Sequence, residues 1–195
     1  MEPSIGIVDL GASNITSVRF ALERLGVRAQ LVRDARSVLA MSALIVPGVA
    51  NFGFVVDALD AADLRDTLLV AAKRGMPLLG ICAGFQLLFE GSEEAPGRSG
   101  LGIFPGVVSR VRGPRKQHVG WNRVDATAGA PIESGWAYFT HGYAPPVASP
   151  AVCGVTSYEA PFASVAARDN VVGVQFHPER SGAYGRKVIE CWLNA

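Results

Sequence analysis

Three features are scarce in this 195-residue chain: cysteine, net charge and long apolar runs. The three cysteines, Cys82, Cys153 and Cys191, are too few and too far apart in the sequence for a disulfide framework or a zinc site. We interpret Cys153 and Cys191, which lie in apolar patterns, as small core residues. The cysteine content therefore predicts no metal site and a reducing, cytoplasmic location.

The formal net charge is only +1, so no global field attracts nucleic acid or an anionic membrane. No uninterrupted apolar run approaches the roughly 18 residues that are needed to cross a bilayer. The N-terminus enters a strand pattern directly, without the basic and apolar stretches of a signal peptide. No Gly-x-x-x-x-Gly-Lys phosphate loop occurs. We therefore expect no nucleic acid, no membrane and no cofactor.

The residues that are present suffice for a sizeable core, since 49% are hydrophobic and 18% are charged. Strand patterns at 5–10, 27–32, 43–46 and 77–82 alternate with helical patterns, and Pro47-Gly48 is expected to stop the third strand. This alternation predicts an α/β, flavodoxin-like fold whose mostly parallel sheet is flanked by helices.

The second half of the chain is rich in strand patterns instead. These lie at 107–111, 122–126, 137–140, 152–158, 162–167 and 171–176, with turn signals between them, and a helix at about 183–193 closes the chain. They predict additional antiparallel strands. Without repeats or linkers, residues 1–195 are predicted to form a single domain.

The stretch from Pro77 to Phe89 draws attention because Cys82 ends an apolar run and a helical pattern follows at once, expected over 83–90. Gly80 and Gly84 flank this cysteine, so the backbone can turn tightly and a substrate can approach. The pattern is similar to the Gly-x-Ser-x-Gly elbow of hydrolases with a thiol in place of the hydroxyl. A helix N-terminus and an imidazole would both favour the reactive thiolate.

Among three histidines, His177 stands out because it ends an apolar strand and precedes Pro178 and Glu179. Residues i and i+2 of an extended chain point to the same side, and the proline keeps this dipeptide extended. The Glu179 carboxylate can therefore orient the His177 ring. With Cys82 this gives nucleophile, base and orienting acid. A core cysteine and a turn histidine remain alternatives, and the pattern leaves the acyl substrate open.

The segments Gly80-Ile81-Cys82-Ala83-Gly84-Phe85-Gln86 and Gly173-Val174-Gln175-Phe176-His177-Pro178-Glu179 resemble the class I glutamine amidotransferase family. Members of that family hydrolyse the side-chain amide of glutamine through a cysteine thioester and release ammonia. The similarity runs through nearly the whole chain. The segments Gly120-Trp121-Asn122 and Ser92-Glu93-Glu94 are similar to the glutaminase subunits that serve a cyclase of histidine biosynthesis.

The resemblance implies a role for each matching residue. Cys82 would be the nucleophile, His177 the general base and acid, and Glu179 its orienting partner. The remaining implied roles are oxyanion binding by the amides of Val49, Ala50 and Ala83, glutamine binding by Gly48, Gln86, Glu94, His141, Gly142 and Tyr143, and partner contact by Trp121, Asn122 and Tyr138. His141 and Tyr143 could equally be packing residues.

Three places depart from the family pattern, and one of them is Gln117-His118-Val119, which precedes Gly120-Trp121-Asn122 where the family usually has Pro-His before Met-Gly-Trp-Asn. Ala50 stands where glycine is usual, and alanine tolerates a positive φ poorly, so we expect a less mobile oxyanion loop. Gly142 stands where serine or threonine is common, which leaves only backbone contacts there.

The implied partner is a (β/α)8-barrel cyclase subunit, which uses ammonia to form imidazole glycerol phosphate and an aminoimidazole carboxamide ribotide. A closed interface would shelter ammonia from protonation. Two alternatives remain: a glutaminase for another pathway, such as anthranilate or vitamin B6 synthesis, and a non-catalytic regulatory or scaffolding homologue.

Overall fold

The computed structural model describes residues 4–11, 13–113 and 115–194. The strands are β1 (Ile5–Val8), β2 (Ala29–Val32), β3 (Ala43–Gly48), β4 (Leu78–Cys82), β5 (Gly91–Ser92), β6 (Val107–Arg110), β7 (His118–Ala126), β8 (Gly135–His141), β9 (Tyr143–Ala144), β10 (Val152–Ser157), β11 (Pro161–Arg168) and β12 (Val171–Val174). The helices are α1 (Ile15–Glu23), α2 (Ala35–Leu39), α3 (Phe52–Ala61), α4 (Arg65–Lys73), α5 (Ala83–Leu87) and α6 (Gly182–Leu193), with a 3-10 turn at Pro178–Arg180. None of the described helices is both long and apolar enough to cross a membrane.

Nine strands form one sheet in the order β2-β1-β3-β4-β12-β11-β10-β7-β8. The first five are parallel, in the order typical of flavodoxin-like folds, and the last four pair antiparallel. The small strands β5, β6 and β9 form a second sheet. The predicted α/β fold with antiparallel strands in the second half is confirmed.

Both faces of the parallel strands are buried, because their alternate side chains enter two separate apolar clusters. On β3, Leu44 and Val46 belong to the cluster covered by α3, α4 and α5, whereas Ile45 belongs to the cluster covered by α1 and α6. Continuous apolar runs such as that of β3 are typical of parallel strands that are covered on both sides.

Local capping fixes where the helices begin. The Asn14 side chain accepts the Ser17 amide at the start of α1, and Asn51 does the same for Phe54 at the start of α3. The second cap sets the direction in which the chain leaves β3, and so the position of the loop at residues 49–51.

Two of the predicted boundaries that were wrong lie next to Cys82. Pro47 and Gly48 continue β3 instead of stopping it, because they pair in register with β4 after the pairing with β1 has ended at Ile45. A proline without an N–H is tolerated where a strand has a neighbour on one side only. The helix after Cys82 spans five residues instead of the expected eight.

Candidate active site

Three neighbouring parallel strands bring the site together at their carboxyl edge. β3 and β4 end side by side with Gly48 opposite Cys82, and β12 ends on the other side of β4, shortly before His177. Loops beyond the carboxyl ends of parallel strands are the usual location of ligand sites in such sheets.

Cys82 lies at the corner between β4 and α5, where its backbone has φ 55° and ψ −109°. A non-glycine residue in this region stores strain, of order 1–3 kcal/mol, which the surrounding packing must maintain. The strained turn directs the buried side chain out of the strand–helix junction toward the cavity described below. Strain of this kind is typical of a positioned nucleophile.

The flanking glycines serve the backbone packing that holds this corner. A Cβ on Gly84 would lie 1.8 Å from the Val46 carbonyl oxygen, and a Cβ on Gly80 would lie 2.9 Å from the Gly84 oxygen. Gly48 packs against Ala83 and Gly84 in the same way and does not appear among the cavity-lining residues that the structure describes. The expectation that Gly80 and Gly84 make room for substrate is therefore wrong: they make room for neighbouring backbone.

His177 and Glu179 are in direct contact, with Nδ1 of the imidazole 2.8 Å from Oε1 of the carboxylate. His177 has an extended backbone, whereas Glu179 lies in the 3-10 turn that follows. Ser181 donates its hydroxyl to the His177 carbonyl, and the His177 amide donates to the Tyr138 carbonyl. Glu179 thus holds the ring, the other two contacts hold the His177 backbone, and Nε2 is the remaining ring nitrogen.

The electrostatics keep this imidazole charged. Burial lowers the pKa of His177, but the Cys82 thiolate and the Glu179 carboxylate outweigh burial and raise the pKa to about 10. At neutral pH the site therefore holds an imidazolium next to the sulfur of Cys82. Helix α5 has five residues, so its macrodipole stabilises a charged sulfur less than that of the expected eight-residue helix would.

A cavity of about 260 Å³ opens on Cys82. It brings together nine residues that were predicted for the site, namely Val49, Ala50, Cys82, Ala83, Gln86, Glu94, His141, Gly142 and Tyr143, with three that were not, namely Asn51, Gln117 and Thr140. Within the described part of the chain, the amides of Val49 and Ala50 make no hydrogen bond. They are therefore available as oxyanion donors.

The predicted glutamine-binding side chains already have protein partners. The Gln86 amide donates to the Tyr143 carbonyl at 2.7 Å, and a Glu94 oxygen accepts the Phe52 amide at the N-terminus of α3 at 2.8 Å. Arg110 donates to the Tyr143 hydroxyl at 2.7 Å and covers its ring. These contacts leave one oxygen each on Gln86 and Glu94 to face a ligand.

The predicted partner residues divide between two faces of the β7–β8 hairpin. Trp121 and Tyr138 are directly opposite on the outward face, with their rings in contact. Trp121 is 55% exposed, and Trp136, which was not predicted, is 57% exposed on the same face. Asn122 points the other way and donates to the Ser157 carbonyl, so it does not share this face with the two aromatic residues.

A family profile described as glutamine amidotransferase class-I matches residues 6–192 of the chain. The chain belongs to the class I glutamine amidotransferase family.

Comparison with individual relatives gives a more specific similarity than the family profile does. It is 43% identical to the imidazole glycerol phosphate synthase subunit HisH of Thermococcus kodakarensis, with 95% of this chain and 97% of that protein covered. It is 42% identical to the subunit of the same name from Deinococcus radiodurans, over 96% and 91% of the two chains. A crystal structure of a glutamine amidotransferase, 21% identical, superposes with a TM-score of 0.81 and covers 97% of both chains, which shows the shared fold.

Sequence reasoning missed Gln175 and Trp136 in this amidotransferase. Gln175 is fully buried and its amide lies 3.7 Å from the Cys82 sulfur. The signal was present, because the sequence predicts a strand over 171–176 with His177 at its end, so that Gln175 and His177, two residues apart, would face the same side. Trp136 alternates with Tyr138 in β8, which already indicated a shared face.

Proposed function

We propose that the chain is the glutaminase subunit of an imidazole glycerol phosphate synthase, hydrolysing glutamine through Cys82, His177 and Glu179. The observation that carries the proposal is the strained Cys82 corner, which opens on one cavity beside the buried His177–Glu179 pair. Family membership and the HisH relatives supply the class of reaction and the pathway, histidine biosynthesis. The triad supplies the chemistry.

In the first half-reaction the Cys82 thiolate attacks the side-chain amide carbon of glutamine. The carbonyl electrons move onto oxygen, where the amides of Ala83 and of the Val49–Ala50 loop donate to the oxyanion. The His177 imidazolium then gives its proton to the leaving nitrogen, the carbon–nitrogen bond breaks, and ammonia leaves a thioester on Cys82.

In the second half-reaction the now neutral His177 takes a proton from water, and the resulting hydroxide attacks the thioester carbon. Collapse of this intermediate breaks the carbon–sulfur bond and releases the glutamate side chain as a carboxylic acid, which ionises in water. The thiolate and the imidazolium are restored. Glu179 keeps Nδ1 as a donor throughout, so the proton moves only at Nε2.

The amino-acid head of the substrate would lie at the other end of the cavity. The free oxygens of Gln86 and Glu94 accept hydrogen bonds from its ammonium group, and the backbone at 141–143 contacts its carboxylate. This pairing of one charged and one neutral acceptor favours a cation at that end.

We further propose that a (β/α)8-barrel cyclase docks on the outward face of the β7–β8 hairpin and consumes the ammonia. The exposed aromatic pair of Trp121 and Trp136 supports this surface, because aromatic anchors dominate protein interfaces. The free thiols of all three cysteines fit a reducing compartment, and we propose a cytoplasmic location.

The test is a glutaminase assay of the isolated chain, of its mixture with the cyclase, and of the mixture with the nucleotide ligand of the cyclase. We expect low ammonia release from the chain alone and a rise with the loaded partner. Cys82→Ser should reduce that rate by at least about 10³-fold while partner binding by gel filtration is retained. Full turnover without partner, or substantial activity of Cys82→Ser, would contradict the proposal.

A further inference from the structure

Side-chain hydrogen bonds form a continuous chain from β7 to the nucleophile. In order, the contacts are Asn122 Nδ2 to His118 Nε2 (3.2 Å), His118 Nδ1 to His141 Nε2 (3.2 Å), His141 Nδ1 to the Tyr143 carbonyl (2.9 Å), Gln86 Nε2 to that carbonyl (2.7 Å), Gln86 Nε2 to Gln175 Oε1 (3.1 Å) and Gln175 Nε2 to Cys82 Sγ (3.7 Å). His118, Gln175 and the inward side of Asn122 have no role in the reaction proposed above.

The Tyr143 carbonyl fixes the direction of the histidine bonds. A carbonyl oxygen only accepts, so His141 must carry its proton on Nδ1. Nε2 of a neutral His141 then accepts, and the proton in that contact belongs to Nδ1 of His118. His118 and His141 are a cross-strand pair on β7 and β8, so the strand register brings the two imidazoles together.

Both imidazoles are neutral, as this series of hydrogen bonds requires. Burial lowers the pKa of His141 to about 3, helped by His118 and His177 and opposed only by the Tyr143 carbonyl. Burial lowers the pKa of His118 to about 4. Asn122 then donates one amide hydrogen to His118 Nε2 and the other to the Ser157 carbonyl. Every contact is satisfied in this one arrangement.

The same carbonyl fixes the two glutamines. Gln86 gives one amide hydrogen to Tyr143 and the other to Gln175 Oε1, so Gln175 accepts through its oxygen. The amide nitrogen of Gln175 must therefore face the Cys82 sulfur. Gln175 is fully buried, so water does not compete for this contact. The Gln86 oxygen is left over as an acceptor, the state that the proposed ammonium contact needs.

We propose that Gln175 is a further catalytic residue that donates a hydrogen bond to the Cys82 thiolate, and that Asn122, His118 and His141 are positioning residues that hold it there. The proposal rests on the proposed function, in that Cys82 is the nucleophile. An N–H donor favours the charged sulfur over the thiol. Gln175 lies far along the sequence from the proposed backbone oxyanion donors.

The direction of these hydrogen bonds can be tested on the wild-type protein, without any substitution. Long-range ¹H–¹⁵N spectra of ¹⁵N-histidine-labelled protein distinguish the two neutral tautomers, and the sequence contains only three histidines. We expect two neutral rings with the proton on Nδ1 from pH 5.5 to 8, and one charged ring, that of His177. A neutral ring with its proton on Nε2, or a charged second ring, would overturn the positioning roles.

The donor role of Gln175 is tested by the pH profile of Cys82 alkylation with iodoacetamide, followed by mass spectrometry of the Cys82 peptide. Gln175→Met removes the donor at similar size, and we expect the alkylation midpoint to rise by about one pH unit. Thr156→Val is the matched control, since Thr156 is equally buried, lies two strands from β12 and has an unpaired hydroxyl among the described residues. Its midpoint should equal that of the wild type.

A second variant covers the case in which Gln175→Met does not fold. Gln175→Glu still accepts from Gln86 but presents a carboxylate to the sulfur, and its midpoint should rise further. A midpoint equal to that of the wild type in either folded variant overturns the donor role. Alkylation needs no turnover, so absence of ammonia release from glutamine in the wild-type complex would overturn the proposed function separately.

Discussion

At the scale of single residues, the site depends on burying three groups that water would otherwise solvate. His177 and Glu179 are 3% and 2% exposed in their side chains, and Cys82 is buried beside them. A buried pair of opposite charges is stable only while both partners remain, because a lone charge keeps its desolvation cost. Each triad residue is therefore a folding feature as well as a chemical one.

Glu179→Gln tests this pairing because it keeps the side-chain size and removes the charge. We expect glutaminase activity to fall by about 10²–10⁴-fold, since the imidazole loses its orienting and stabilising carboxylate. Activity of the complex within tenfold of the wild type would contradict the role of Glu179.

The same variant has a defined pH signature in stability. The pKa of His177 is raised in the folded protein, from 6.5 to about 10, so its contribution to stability is complete below pH 6.5 and is lost as pH rises toward 10. The difference in free energy of unfolding between wild type and Glu179→Gln should therefore be largest near pH 6.5 and shrink toward pH 10. Urea denaturation at several pH values measures it, and a difference that grows with pH would contradict this assignment.

The Cys82 corner and the His177–Glu179 contact could be predicted from the sequence because their signals are local: a cysteine between glycines and a His-Pro-Glu segment at a strand end. The partners of these residues could not be predicted in the same way. The Cys82–Gln175 and His118–His141 contacts join residues 93 and 23 positions apart, and strand order, which the sequence does not state, decides them.

At the scale of elements, the β4–α5 corner is held by backbone packed on backbone. Strand β3 lies so close to the first turn of α5 that only glycine fits at position 84, which explains the Gly-x-Cys-x-Gly pattern better than substrate access does. The position of this corner is visible in the sequence, but the contacts of its glycines are not, because distances between elements depend on packing that a one-dimensional pattern does not contain.

Gly84→Ala tests the packing of this corner. The added methyl would meet the Val46 carbonyl oxygen, and we expect a loss of at least about 3 kcal/mol in the free energy of unfolding. Gly91→Ala is the control: its methyl would meet the Arg98 oxygen at an ordinary 3.4 Å, and the change should stay within about 1 kcal/mol. Equal stabilities of the two variants would show that the corner is not constrained as described.

At the scale of the whole molecule, the sheet connects the proposed partner surface with the proposed catalytic base, His177. Tyr138 on the outward hairpin face accepts the His177 amide through its carbonyl and donates its own amide to the Ser181 hydroxyl oxygen. Arg180, next to Glu179 in the chain, lies over the Tyr138 ring at 4.3 Å. A partner that presses on this face would therefore contact residues bonded directly to the triad.

The surface itself is tested by Trp121→Ala and Trp136→Ala. Each should weaken binding of the cyclase by at least about 30-fold, the effect of losing an interface anchor, and leave thermal stability nearly unchanged because both rings are exposed. Leu31→Ala is the matched control, an exposed apolar residue on β2 at the opposite end of the sheet. Titration calorimetry with the purified cyclase decides, and equal affinities of all three variants would exclude this face as the interface.

The central claim is that glutamine is attacked by Cys82. The most direct measurement is to incubate the complex with a glutamine analogue that carries an electrophilic ketone in place of the amide, and to map the adduct by peptide mass spectrometry. We predict one adduct per chain, on Cys82, formed in step with the loss of glutaminase activity and prevented by excess glutamine. An adduct on Cys153 or Cys191, or loss of activity without modification of Cys82, would contradict the account.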